Sequence, residues 1–212
     1  MDNGTNGASA LQQVVDQIEA MPDLASASIA EAVAGHGRFE GLPLQVTFDV
    51  HDDRRRAHLL SPITYLDPAG RDWPVPKDAW LDGASIPQVF WSIIGGPYDG
   101  NYLEASVVHD HYCITKSRSW RDTHRMFHEA MLFCEVAGFK ARIMFYAVYR
   151  FGPRWPASGV ASESVAQLPE ALDDTVAASI LADAAILQST VLTSREIEAL
   201  ADESGSSSRS GR

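Results

Sequence analysis

The sequence predicts an α+β fold in which a small antiparallel β-sheet is followed by a helical subdomain, with flexible acidic flanks. The first observation is a change in apolar spacing near Pro87, from every second residue to the three-or-four-residue spacing of helices. The second is the charge: residues 1–40 and 153–212 each carry a net charge of −5, whereas residues 41–152 carry −1. We therefore predict an N-terminal helical arm over 1–40, an α+β domain over 41–156 and an acidic C-terminal extension over 157–212.

Composition excludes several classes of protein. No apolar run approaches the ~18 residues that span a bilayer, and the N-terminus lacks the features of a secretory signal. A net charge of −11 without a basic stripe argues against nucleic-acid binding. The expected location is cytoplasmic or virion-associated. In the predicted helix pair, Cys113 and Cys134 lie ~18 Å apart at the helical rise, so no disulfide is expected.

The strands are predicted from alternation and turns. Leu44 to Val50 alternates apolar and polar residues, which is typical of a half-buried strand. Two more extended segments, His58–Leu66 and Asp72–Val75, flank a turn sequence at 67–70. A single antiparallel sheet or meander over 42–81 is the simplest arrangement. Arg54–Arg56 follow two aspartates and are interpreted as a solvated turn.

The helices are bounded by glycine and proline. Segment 10–21 has the apolar spacing of a helix, and a short helix is predicted to begin at Pro87. Longer helices are predicted at 102–115, 120–136 and 139–151. In the C-terminal extension, helices are predicted at 169–187 and 194–203, the second with a Thr193–Glu196 capping box. The tail 205–212 has nothing apolar to bury.

The helical hairpin carries the first candidate site. His109 and Asp110 follow an apolar run, and a hairpin that turns near 117–118 brings them close to Asp122 and His124. A carboxylate on the facing helix would fix the tautomer of a histidine acting as general base. We therefore predict His109, Asp122 and His124 as catalytic residues and Asp110 as a metal ligand. The alternative is a polar seam that only joins the helices.

Two further patterns have both a chemical and a structural interpretation. His124 and His128 have the i, i+4 spacing of zinc-binding helices, but the glutamate of H-E-x-x-H is absent and a solvent-facing pair is favoured. Asp82 and the glycine-rich loop 95–100, with Gly96 and Asp99, could supply oxygen ligands to a cation. Their structural interpretation is a helix cap and an inter-helix loop.

Several motifs together resemble a known family. They are D-G-A-S-I-P at 82–87, the apolar run into H-D at 109–110, M-F-H-E-A-M at 126–131 and M-F-Y-A-V-Y-R-F-G-P-R-W at 144–155. This combination resembles the family called domain of unknown function 1353, and the resemblance covers about 42–155. The family occurs in bacteria, tailed phages and prophages, and its name assigns no activity.

A weaker resemblance connects the same helices to small bacterial phospholipase A2 proteins. It rests on an apolar-H-D-x-x-Y/C pattern followed by a helix ending in F-x-x-x-M. The resemblance implies His109 as general base, Asp110 as calcium ligand, carbonyls from the 95–100 loop and an acid near Phe127 that orients the base. His124 stands where that pattern has aspartate, and the nearest acid is Asp122.

Two functions follow from these patterns. One is a cation-dependent hydrolase of esters or amides, with Ca²⁺ or Mg²⁺ as the ion, or Zn²⁺ if His124 turns inward. The other is a non-enzymatic phage or prophage structural protein that binds a phage or host partner through its acidic flanks.

Overall fold

The computed structural model describes residues 16–17, 35–51, 54–81, 101–156 and 174–210. Its strands are β1 (Arg38–Glu40), β2 (Val46–His51), β3 (Arg54–Leu59), β4 (Ile63–Leu66), β5 (Asp72–Val75) and β6 (Trp80–Leu81). Its helices are α1 (Leu103–Thr115), α2 (Trp120–Phe133), α3 (Gly138–Phe151), α4 (Asp174–Ser189) and α5 (Ser194–Ser210). The α+β class is confirmed, with strands before helices.

The strands form two antiparallel three-stranded sheets rather than the single sheet expected. One has the order β1-β4-β5 and the other β2-β3-β6. The alternation of apolar residues locates each strand, but it does not specify which edges pair. Arg54–Arg56 were expected in a turn; they begin β3, where they pair with Asp49–His51 of β2. That prediction was wrong because cross-strand pairing continues through a charged segment.

The helices pack on the sheets through one shared core. Buried side chains of β3 to β6 meet α1, and Trp73 of β5 makes an edge contact with Tyr112, at 4.9 Å between ring centroids. The Tyr112 hydroxyl also donates a hydrogen bond to the carbonyl of Pro74, at 3.3 Å. These contacts fix α1, which carries His109, against the β1-β4-β5 sheet.

The C-terminal extension contributes folded structure. Helices α4 and α5 bury Ile180, Ala184, Leu187, Ile197 and Ala201 in the same hydrophobic core as α3. Helix α5 continues to Ser210, although the segment from Gly205 was expected to be an unstructured tail. The helix persists there because backbone propagation needs no buried side chain once α5 has been nucleated.

Some sequence predictions fall outside the described residues. These are the helix beginning at Pro87, the 95–100 loop and most of the helix over 10–21. Within the part of the chain that is described, no helix is long and apolar enough to cross a membrane.

Candidate metal centre in the helical hairpin

Capping interactions fix the α1–α2 hairpin. Helix α1 ends at Thr115, and its C-cap residue Lys116 adopts the left-handed conformation (φ 53°) and donates its backbone N–H to the Tyr112 carbonyl. Ser119 then caps α2, since its hydroxyl oxygen accepts the backbone N–H of Asp122 at 3.1 Å. The short link brings α2 back along α1 and places the two helices face to face.

His109 and His124 meet at the centre of this hairpin. Nε2 of His109 lies 2.8 Å from Nδ1 of His124, and the side chains are 1% and 0% exposed. The His109 ring also stacks on Phe127, with 4.5 Å between centroids. The expectation that these histidines lie on facing helices is met.

The hydrogen bonds define where the protons are. Nε2 of His124 lies 3.2 Å from the Pro153 carbonyl oxygen, which can only accept, so this nitrogen carries a hydrogen. Burial lowers the pKa of His124 to about 3, and burial followed by repulsion from His124 lowers that of His109 well below its usual value. Both rings are therefore neutral, Nδ1 of His124 presents a lone pair, and Nε2 of His109 donates to it.

Cys113 adds a third donor from the next turn of α1. Its sulfur lies 3.7 Å from Nε2 and 3.9 Å from Nδ1 of His109, and the residue is 8% exposed. His109, Cys113 and His124 each offer one ligand atom, and these atoms all lie within 4.8 Å of one another. Among the residues that the structure describes, this is the one such group of three.

The spacing of the three donors is close to what a small tetrahedral ion requires. With Zn–N near 2.0–2.1 Å and Zn–S near 2.3 Å, tetrahedral angles place two nitrogens about 3.3 Å apart and sulfur about 3.6 Å from each nitrogen. The sulfur-to-nitrogen distance of 3.7 Å matches. The nitrogen pair, at 2.8 Å, must open by about 0.5 Å to reach that geometry, and the hydrogen on His109 Nε2 must move to Nδ1 before Nε2 can coordinate. Imidazole and thiolate are ligands that zinc accepts and calcium does not.

Asp122 lies away from the two histidines. Its carboxylate accepts a hydrogen bond from Ser119 Oγ at 2.6 Å and pairs with Arg71 Nη1 at 3.2 Å. Hence Asp122 contributes to the N-terminus of α2 and to the β5 end of the sheet. The structure places a second imidazole, His124, rather than the expected carboxylate against His109.

The predicted oxygen ligands divide into two groups. Asp110 directly follows His109 on α1 and is 4% exposed, so its carboxylate is buried next to the first of the three donors in the sequence. The others, Asp82, Gly96 and Asp99, lie outside the described residues.

His128 does not belong to the centre, and it does not face solvent as expected. It is 3% exposed, its Nδ1 lies 2.9 Å from Ser194 Oγ at the start of α5, and its ring stacks on Phe145. Burial lowers its pKa to about 4. His124 and His128 are four residues apart on α2, but they contact different parts of the protein. His124 lies in the core of the hairpin, whereas His128 contacts the start of α5.

Cys113 is the residue that the sequence-based prediction missed. The signal was present as His109-Asp110-x-x-Cys113, which has the spacing of H-E-x-x-H with a shorter acid and a thiol as second ligand. At i, i+4 the two ligands share one helical face, and the acid follows the first of them. No disulfide was expected between the two cysteines and none is formed, but Cys113 was not predicted as a metal ligand.

Comparison with known proteins gives a match to a family model over part of the chain, but no activity. Residues 57–148 match the family model "Protein of unknown function (DUF1353)". The hairpin with all three donors lies inside this range, whereas Pro153 lies beyond it.

Two relatives come from Sinorhizobium fredii. "Uncharacterized protein y4jT" is 49% identical over 129 residues, which are 60% of this chain and 38% of the relative. "Uncharacterized protein y4iH" is 40% identical over 107 residues, 50% of this chain and 45% of the relative. The chain thus spans less than half the length of each. No solved structure matches it significantly. Neither relative carries a lipase description, so the phospholipase A2 likeness gains no support from them.

Proposed function

Because the family model that residues 57–148 match has a description that assigns no activity, we propose a function from the geometry of the hairpin. The proposal is a zinc-assisted hydrolase of ester or amide bonds. The observation that carries it is the convergence of His109, Cys113 and His124, with ligand atoms within 4.8 Å of one another. Three protein ligands with a fourth position left for water or substrate are the usual form of a catalytic zinc site.

Each residue has a separate role in this proposal. His109, Cys113 and His124 hold the ion, and Asp110 accepts the proton from the attacking water. The acid follows the first ligand of an i, i+4 pair, as the base does in H-E-x-x-H helices. Bound zinc would lower the pKa of water and polarise the carbonyl that is attacked. Asp122, paired with Arg71 and Ser119, supports α2 in this scheme.

The donor set changes the choice of ion. Calcium and magnesium were expected from Asp110 and loop carbonyls, with zinc as the choice if His124 turned inward. His124 is fully buried against His109. Two imidazoles and a thiol therefore favour zinc, or another ion that prefers nitrogen and sulfur.

Metal content tests the centre, and the chain offers a matched control. The purified protein should bind one zinc per chain, and Cys113→Ser should lose it. Cys134→Ser should keep it, because burial raises the pKa of the Cys134 thiol to about 12 and Cys134 is outside the group of three. His111→Ala serves in the same way as the control for His109→Ala. Equal zinc content in Cys113→Ser and Cys134→Ser would contradict the proposed centre.

Activity tests the hydrolase. The zinc-loaded protein should release p-nitrophenol from p-nitrophenyl acetate or butyrate faster than the chelated protein. Asp110→Asn should retain zinc but lose this rate by about 10²–10⁴-fold, the usual contribution of a general base. If Asp110→Asn instead loses the metal, Asp110 is a ligand. A zinc-loaded wild type without activity on esters or on a panel of acyl peptides would contradict the hydrolase.

One observation favours a structural alternative. The 2.8 Å contact between the histidines and the 3.2 Å contact to the Pro153 carbonyl form a hydrogen-bonded chain that joins α1, α2 and the end of α3 without an ion. In that case His109→Ala would leave His124 without its donor and cost about 1–3 kcal/mol in unfolding free energy. That loss in a protein that binds no zinc would favour a scaffold, including the phage structural role.

A further inference from the structure

The segment that leaves α3, Gly152–Trp155, crosses the hairpin beside His124. The Pro153 carbonyl lies 3.2 Å from His124 Nε2. The Trp155 ring makes an edge contact with the His124 ring, with 6.3 Å between centroids and 75° between planes, and the Trp120 ring lies 5.6 Å from the His124 ring. His124 is therefore held by one backbone acceptor and two aromatic rings.

Trp155 anchors this segment to the hairpin turn. Its indole N–H donates to the Arg118 carbonyl at 2.7 Å, and the residue is 5% exposed. The Arg118 guanidinium in turn lies over the Trp73 ring at 4.3 Å. The position of the Pro153 carbonyl is thus linked through the α1–α2 turn to the β1-β4-β5 sheet.

Gly152 lets the chain make this crossing. A Cβ at this position would lie 2.3 Å from the Val148 carbonyl oxygen, closer than such atoms approach. The backbone conformation itself (φ −76°) suits any residue. The need for glycine here is therefore steric, and a methyl group would displace the backbone immediately before Pro153.

We propose that Gly152–Trp155 is a positioning element of the metal centre, in which the Pro153 carbonyl holds His124 so that Nδ1 faces the ion; this rests on the zinc site proposed above. A neutral imidazole has two tautomers, and a carbonyl beside Nε2 selects the one that leaves Nδ1 free to coordinate. Residues 152–155 lie outside the 57–148 segment that matches the family model. The centre is consequently completed by residues beyond that segment.

The test uses full-length Gly152→Ala and Trp155→Phe. Zinc affinity is measured by competition with a chromogenic chelator, and coordination by the visible spectrum of the Co²⁺-loaded protein. Loss of an outer-shell partner typically weakens metal binding by about 10–100-fold, and we expect this range with an altered Co²⁺ spectrum for both variants. Gly205→Ala, whose Cβ meets nothing within 4 Å, and Trp80→Phe, at a tryptophan that is 49% exposed, are the controls.

The outcomes separate this inference from the site itself. If the wild type shows no thiolate-to-cobalt absorption, the zinc site fails and the inference fails with it. If the wild type binds but both variants match it in affinity and spectrum, the site stands and the positioning role is overturned. The ¹⁵N shifts of His124 in the metal-free protein report its tautomer and give a second measurement. If Trp155 is purely structural, Trp155→Phe should lower the melting temperature and leave the His124 tautomer unchanged. Should Gly152→Ala fail to fold, Trp155→Phe alone decides.

Discussion

Among the residues that the structure describes, two buried polar clusters can be compared, and they differ in the charges that their side chains carry. At the junction of α3 and α4, Arg150 contacts Asp183 at 3.3 Å, and Tyr146 hydrogen-bonds to both. In the hairpin, His109, Cys113 and His124 are buried without an acid among the three. The first cluster combines a cation, an anion and a hydroxyl, whereas the second combines three electron-pair donors.

The difference shows that burial of polar groups does not by itself indicate a site. The Arg150–Asp183 pair balances its own charge, which is how buried ions are normally tolerated. The two hairpin imidazoles are neutral, and together with Cys113 they offer nitrogen and sulfur atoms that one cation could share. A buried cluster whose own charges are opposite and paired is a structural junction, whereas a buried cluster of donor atoms without a cation is a candidate metal centre.

The largest effect is expected from breaking the charge-balanced cluster. Asp183→Ala leaves Arg150 buried without its anion and should cost about 3–5 kcal/mol in unfolding free energy, measured by urea denaturation. Asp202→Ala is the control, because Asp202 is exposed and contacts Tyr149 at 3.2 Å. Zinc content of the folded fraction should not change. A loss below 1 kcal/mol would show that the pair is hydrated.

A smaller effect is expected from the hairpin, and it should depend on metal. Free zinc at 100 times the dissociation constant should stabilise the wild type by about 2.7 kcal/mol. Cys113→Ser should lose this increment and Cys134→Ser should keep it, as measured by melting with zinc and with chelator. An identical zinc response in the two variants would place the ion elsewhere.

Asp67 offers a third buried polar group and a pH test. Burial raises its pKa, but hydrogen bonds from Trp73 and Arg71 outweigh this and hold the pKa below the usual 3.8. Its stabilising effect is therefore present above that pH and is lost as pH falls through the lower folded-state value. Asp67→Asn should cost about 1–2 kcal/mol at pH 7 and flatten the acid limb of the stability curve. An unchanged acid limb would contradict this assignment.

The smallest effect is expected from the chain ends. Removing 205–212 together with 1–8 should shift the melting temperature by only about a degree or two. The last buried apolar residue of α5 is Ala201, so the described part of the deleted segment contributes nothing to the core. A fall of several degrees would show that an end docks on the protein.

The sequence was sufficient for local features of the fold. The change of apolar period near Pro87 separated strands from helices, and the polar link after Thr115 located the hairpin that joins His109 to His124. Strand β1 pairs with β4, and the paired residues Phe39 and Tyr65 are 26 positions apart in the sequence. No local pattern signals such a pairing, so one sheet was expected where the structure has two. Local spacing encodes elements, whereas edge pairing depends on the whole chain.

The candidate site was predicted in part for the same reason. Helical spacing put His109 and His124 on facing surfaces, but it could not determine that Asp122 would turn to Ser119 and Arg71. The Pro153 carbonyl was not foreseeable either, because a backbone atom 29 residues from His124 leaves no pattern in the sequence.

The short link between α1 and α2 also has a consequence for the order of folding. His109 and His124 are 15 residues apart, whereas Arg150 and Asp183 are 33 apart and Arg125 reaches Glu198 over 73. Closing the shorter loop costs less chain entropy, and local contacts form earlier. We therefore expect the hairpin to assemble before α4 and α5 dock, so that the proposed ion would bind a nascent chain while the C-terminal helices are still being synthesised.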